Sequence, residues 1–162
     1  MAAAGLAEVV DALAALSRIL VGITARSLNM LDIDLTLSQY RIVVLLAARG
    51  PQRTVDLARE LALHPSTVTR TCDRLIRRGL LTRQHRQPDR RVAWLALSES
   101  GKDLIGEVMR RRHAEIRRLV DAVPIEDPTE VTGVLDAVVT AAGDLPETQW
   151  WQRWIESTLD AG

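Results

Sequence analysis

Arg70, Arg74 and Arg77 recur at three- and four-residue intervals in the stretch PSTVTRTCDRLIRR, residues 65–78. At about 100° per residue they share one side of a helix with Ser66 and Asp73. Val68, Cys72, Leu75 and Ile76 take the opposite side, with Thr67 and Thr69 on the flanks. A guanidinium fork can donate to both major-groove acceptors of a guanine, and small hydroxyl side chains allow close approach to base edges. Further Arg side chains on the same face meet phosphates. A second cluster follows, in which Arg86, Arg90 and Arg91 crowd around Asp89. An Arg inserted into a narrow minor groove gains from the enhanced negative potential there. Asp89 can hold Arg91 extended through a charge-assisted bond. The chemistry offered is recognition of double-stranded DNA. Pro65, Ser66, Thr67, Thr69, Arg70, Arg74 and Arg77 would act from the helix, and Arg86, Asp89, Arg90 and Arg91 from the second cluster.

The surrounding elements fit that use. His64-Pro65 opens the helix, with Pro65 suited to the first helical position, and Gly79 is placed to end it in the left-handed conformation. Thr54 is expected to cap a preceding helix, VDLARELAL, that packs across it as a helix-turn-helix. Leu80–His85 and Arg91–Leu97 read as two strands joined by turn chemistry at Gln87-Pro88-Asp89-Arg90, a hairpin with an Arg-rich tip. Upstream, Thr36 and Gln39 form a capping-box pattern for a helix running to Ala48 and stopped by Gly50-Pro51. Leu6, Val9, Val10, Leu13, Leu16, Leu20 and Ile23 mark a long helix over residues 5–30. Ser98 is expected to cap another long helix reaching about Val123. Residues 128–143 form an apolar helix, and PETQWWQRWIESTL ends the chain with a short amphipathic one.

Bulk properties narrow the choice. Net charge is zero, but residues 51–97 hold ten Arg against four acids, and the rest of the chain holds 11 basic and 17 acidic residues. A basic middle between acidic ends fits a nucleic-acid face. No uncharged apolar run is long enough for a transmembrane helix, and the N-terminus reads as an amphipathic helix rather than a signal peptide. With one cysteine, Cys72, no intrachain disulfide framework is available, which fits a cytoplasmic protein. The histidines, His64, His85 and His113, lack ligand spacing, so no metal site or other cofactor is expected. No nucleophile–base pair or phosphate-cradling Gly loop points to an enzyme.

The run TVDLARELALHPSTVTRTCDRLIRRGLLTRQHRQPDRRVAWLALSESGKDL resembles the MarR family of bacterial winged-helix regulators. The Asp89-Arg90-Arg91 tip, followed by Leu97-Ser98-Glu99-Ser100-Gly101, matches that family's wing and its exit into the next helix. The resemblance covers roughly residues 36–104. It implies a mainly α fold with a small β-hairpin wing, a winged helix-turn-helix with N- and C-terminal dimerisation helices. The corresponding divisions are 1–35, 36–97, 98–145 and a Trp-rich tail, 146–162. It further implies a homodimer that binds a palindromic operator, commonly as a repressor, with recognition helix 65–78 in the major groove and wing 83–94 in the minor groove. A small aromatic or phenolic effector, or thiol oxidation, often weakens DNA binding in this family. Tyr40 and residues 20–31 are candidate effector lining by family position.

A dimer also follows from size. One short recognition helix reads only a few base pairs, too few for genomic specificity, and two copies must sit about 34 Å apart. Two alternatives compete: a thiol-responsive regulator using Cys72, and a winged helix used only for protein contacts, which the basic face disfavours. Burial of Cys72 as a small hydrophobe is the expected outcome. Glu107 with Arg111 and Glu115 with Arg118 are expected to pair along the long helix, making its Arg clusters a solvated face. Trp150, Trp151, Trp154, Ile155 and Leu159 are expected to dock the tail rather than to cover an effector.

Overall fold

The computed structural model describes residues 2–31, 34–85 and 93–144. Six helices and three short strands run in the order α1 (Ala2–Asn29), α2 (Leu37–Arg49), β1 (Gln52–Arg53), α3 (Thr54–Glu60), α4 (Pro65–Arg77), β2 (Leu81–His85), β3 (Ala93–Leu97), α5 (Glu99–Asp121) and α6 (Pro128–Ala141). The described residues fall into two compact units.

The first unit comprises residues up to Leu37 together with Gly106–Val123. Ile23, Leu28, Val108 and Met109 are buried there. The Arg26 guanidinium of α1 grips Glu115 of α5, with Nη2 donating to Oε2 at 2.8 Å and Nε at 3.3 Å. This corrects the expected local pair, because Glu115 faces α1 rather than Arg118. Glu107 does pair along its own helix, at 2.6 Å from both Arg110 and Arg111. Hydrogen bonds from Arg110 and then Arg111 hold its carboxyl below the usual range. Most of α1 before Ile23 is uncovered, with Leu6, Val9, Val10 and Leu16 all exposed.

The second unit comprises Ser38–Ile105 with the described residues from Pro124 onward. Ile42, Val43 and Leu46 from α2, Leu57 from α3, Val68, Cys72 and Leu75 from α4, and Leu81 and Leu95 from the sheet are buried. The sheet order is β1-β3-β2, all antiparallel, with Leu81 opposite Leu97 and His85 opposite Ala93. Its third strand was not expected. Only two residues, Gln52 and Arg53, pair with Leu95 and Trp94, too short a segment to show a period-two pattern.

Helix boundaries shift for identifiable reasons. Thr54 is not the cap of α3 but its first residue. Arg53 holds the N-cap position without a side-chain cap bond, since a guanidinium has no acceptor for the free N–H groups; it donates instead to Asp56 in two-pronged fashion at 2.7 and 3.0 Å. That helix also stops at Glu60 rather than continuing to Leu63, because Ala62 takes a left-handed φ of 53°. Ser98 caps α5 as expected, its Oγ accepting from Gly101 N–H at 3.0 Å. Helices α5 and α6 each end two residues earlier than the sequence pattern suggests. No helix among the described residues is long and apolar enough to cross a membrane.

Candidate nucleic-acid interface

Helices α3 and α4 pack together as a helix-turn-helix, and α4 also packs on β2. The turn between them is closed by Leu63 N–H donating to Ala58 carbonyl at 3.0 Å and by Ala62 N–H donating to Arg59 carbonyl at 3.2 Å. Ala62 stands where glycine would be at ease, since an L residue pays a steric penalty in the left-handed region.

The start of α4 is capped by an imidazole. His64 Nδ1 accepts from Ser66 N–H at 3.3 Å, and Ser66 Oγ lies 2.8 Å from the same nitrogen. Pro65 occupies the first turn, where its missing N–H costs nothing. This network assigns the ring proton to Nε2, which leaves an N–H donor at the tip of the helix. Cap preferences do not point to this residue, because His is not among the favoured N-cap residues.

The two faces of α4 divide as the wheel predicts. Val68, Cys72 and Leu75 are buried, and Pro65, Ser66, Thr67, Thr69, Arg70, Arg74 and Arg77 are exposed. Thr69 Oγ1 donates to Pro65 carbonyl at 2.9 Å. Its hydroxyl proton is therefore committed to the backbone, and its methyl and lone pairs remain to meet base edges. Arg70 Nε donates to Ser66 carbonyl at 3.3 Å, which steadies the side chain and leaves its two terminal nitrogens for a fork-like contact. Arg74 and Arg77 form no ion pair among the described residues.

Asp73 is the one acid on this face, and it is neutralised from the sheet. Arg83 Nη2 of β2 donates to Asp73 Oδ1 at 2.5 Å. The wheel placed Asp73 outward, but periodicity along one helix carries no signal about a partner on a strand ten residues later. Trp94 of β3 is half-buried and lies 6.0 Å from the Arg53 guanidinium carbon, within cation–π range. The Arg53–Asp56 pair lowers the Asp56 carboxyl and raises the guanidinium, through the shared hydrogen bond first.

At its far end α4 is anchored to α5. Gly79 turns the chain with φ 73°, Ser98 Oγ donates to Gly79 carbonyl at 2.5 Å, and Ser98 N–H donates to Leu80 carbonyl at 3.1 Å. Gly101 lies so close to Leu80 that a Cβ would collide with its carbonyl oxygen.

Arg86, Asp89, Arg90 and Arg91, the expected wing tip, lie outside the described residues. The strands that carry them, β2 and β3, are in register on either side. Cys72 is buried, and its thiol is pushed up to about 11, by burial first and then by neighbouring Asp73. A thiol so held keeps its proton at neutral pH and is a poor nucleophile. Among the described residues no group of His, Cys, Asp and Glu is arranged to hold a metal ion.

Comparison with known proteins gives a consistent picture. A statistical profile described as the MarR family matches residues 35–93. The chain is similar to the HTH-type transcriptional regulator YfiV of Bacillus subtilis, 25% identical over 62% of this chain and 63% of YfiV. It thus spans under two thirds of that relative's length. It is also similar to the HTH-type transcriptional repressor MdtR of the same organism, 28% identical over 66% of this chain and 69% of MdtR. Among solved structures, RV1404 from Mycobacterium tuberculosis aligns with TM-score 0.77 and 33% identity, covering 85% of this chain and 94% of RV1404. The transcriptional regulator Tm0710 from Thermotoga maritima aligns with TM-score 0.60 and 28% identity, covering 79% and 89% respectively.

Proposed function

We propose that this chain, whose residues 35–93 match the MarR family, is a DNA-binding transcriptional regulator of that family rather than an enzyme, and that it acts in the cytoplasm as a homodimeric repressor of a palindromic operator. The observation that carries this reading is the outer face of α4. It presents Arg70, Arg74 and Arg77 on an exposed, capped helix, and the one acid among them is paired away by Arg83. In each subunit α4 enters the major groove, with Arg70 donating to a guanine and Arg74 and Arg77 meeting phosphates. The hairpin between β2 and β3 brings Arg86, Arg90 and Arg91 to the adjacent minor groove, and Asp89 orients Arg91.

The dimer is supported by apolar surface left uncovered among the described residues. Leu6 is 67% and Val10 60% exposed in α1, and Val134 is 55% exposed in α6. Faces of this kind mark association sites, and a second copy supplies the second half-site that specificity needs. Repression is supported by the likeness to a repressor. A small aromatic or phenolic effector would relieve it by binding a DNA-incompetent arrangement better than the competent one. The thiol-responsive alternative is disfavoured by the buried, protonated Cys72.

Binding to DNA from the chain's own upstream region tests the reading, with the oligomeric state measured alongside by sedimentation. A sequence-dependent, salt-sensitive complex of two chains per site is expected. A monomer that binds all DNA equally contradicts it.

A further inference from the structure

The first turn of α4 has no backbone N–H to spare. Pro65 lacks one, Ser66 N–H donates to His64 Nδ1 at 3.3 Å, and Thr67 N–H donates to the His64 carbonyl at 2.9 Å. The Ser66 hydroxyl lies 2.8 Å from the same ring nitrogen. Its proton points there, since a nitrogen that accepts cannot also donate. Helix N-termini commonly meet an anion through free backbone N–H groups, and phosphate contacts of this kind position proteins on DNA. At the start of α4 those groups are absent or already engaged.

The imidazole carries a donor past them. With Nδ1 accepting, the ring proton stands on Nε2, and Nε2 makes no hydrogen bond among the described residues. His64 is exposed, and so are its neighbours from Ala62 to Thr67. The two bonds from Ser66 fix the plane of the ring. Bonds accepted at Nδ1 also polarise the ring and strengthen donation from Nε2. The positive end of the 13-residue helix lies behind it and favours an anion in front. We propose that His64 is a DNA-contact residue whose Nε2–H donates to a backbone phosphate, in place of the first-turn N–H groups. Ser66 is then the residue that aims the ring, through its N–H and its hydroxyl together. The proposal rests on the reading of α4 as the groove helix. The contact differs in kind from those of Arg74 and Arg77: a neutral donor adds affinity without neutralising a phosphate, so it releases no counterion.

Two substitutions in the full chain separate the cap from the contact. Asn is a favoured N-cap residue and its Oδ1 falls where Nδ1 stood, so His64→Asn keeps the helix capped with no donor beyond it. Gln reaches as far as Nε2, so His64→Gln keeps a donor there without the cap. Both are titrated by anisotropy in mildly alkaline buffer against DNA from the chain's own upstream region and against scrambled DNA, over a salt series, and both are melted. His64→Asn is expected to melt as the wild type does and to lose roughly tenfold in affinity on both DNAs, with an unchanged salt slope. His64→Gln is expected to melt lower and yet to bind more tightly than His64→Asn. Arg74→Ala, measured beside them, is expected to lower the slope by about one counterion. Affinities that follow the melting temperatures overturn the proposal, because His64 would then act through the helix alone. A loss confined to the upstream DNA overturns it in favour of a base contact, and a slope lowered by His64→Asn overturns it in favour of a charged imidazolium. A shifted Arg74→Ala beside an unshifted His64→Asn overturns this proposal alone. An Arg74→Ala chain that matches the wild type in affinity and slope takes α4 off the DNA and overturns the underlying reading with it.

Discussion

Arg83 on β2 and Asp73 on α4 are joined by an ion pair of 2.5 Å, which ties the sheet to the middle of α4. Asp73 faces the side on which phosphates are expected, where an unpaired carboxylate would repel them. Its partner turns that position close to neutral and leaves Arg70, Arg74 and Arg77 to set the sign of the face.

Because both side chains are substantially exposed, breaking the pair should change stability by no more than about 1 kcal/mol. The effect on DNA should be larger and of opposite sign for the two partners. Arg83→Ala should weaken binding to operator and scrambled DNA alike. Asp73→Asn should strengthen binding to scrambled DNA and steepen the salt dependence by about one counterion. Anisotropy titrations over a salt series check both, and equal behaviour of the two variants would remove the role assigned to the pair.

Gly101 and Ser98 fix the end of the winged helix. A methyl at position 101 meets the Leu80 backbone, which cannot yield as a flexible side chain does. Gly101→Ala should cost about 1–3 kcal/mol as an overpacking change. Ser98→Ala, which removes the cap to Gly101 and the bond to Gly79, should cost about 1 kcal/mol. Urea unfolding measures both, and a neutral Gly101→Ala would mean that the α4–α5 junction is looser than described.

Ala62 holds φ 53° in the turn of the helix-turn-helix. Releasing that strain is worth about 1–2 kcal/mol, partly offset by about 0.4–1 kcal/mol of added unfolded-chain freedom. Ala62→Gly should therefore raise the melting temperature slightly with DNA affinity unchanged. A lower melting temperature would contradict the left-handed turn.

Cys72 should be silent to oxidants and alkylating reagents at neutral pH. A thiol moved from 9.0 to about 11 holds about 100-fold less thiolate than a free one, and burial hinders access further. The folded chain keeps this proton where the unfolded chain releases it. The thiol's contribution to stability is therefore complete below pH 9.0 and is lost as pH rises through about 11. Iodoacetamide labelling of the native chain against the urea-unfolded chain checks this. Equal labelling rates would revive a redox role.

The parts of this molecule legible in its sequence are those written in local periodicity. The two faces of α4, the Pro65 start and the Gly79 stop follow from residues within a turn or two of one another, and so does the Ser98 cap. Contacts between segments distant in sequence were not legible. Nothing in the pattern ties Glu115 to Arg26 or Asp73 to Arg83, and the two-residue strand β1 is too short to show alternation. Arg53 rather than Thr54 stands before α3, with its guanidinium on Asp56, an arrangement that cap preferences alone do not indicate. The His64 cap was hidden for a similar reason, since an imidazole rarely serves there.

The central claim is that α4 reads DNA through Arg70. It is tested most directly by anisotropy binding of the wild type and Arg70→Ala to upstream and scrambled DNA at several salt concentrations. The account predicts tight, salt-dependent binding of the wild type to the upstream fragment. It predicts a loss of about 1–3 kcal/mol for Arg70→Ala on that fragment, with relaxed base preference and little change on scrambled DNA. Identical affinities of wild type and Arg70→Ala for a fragment that the wild type binds specifically would contradict it.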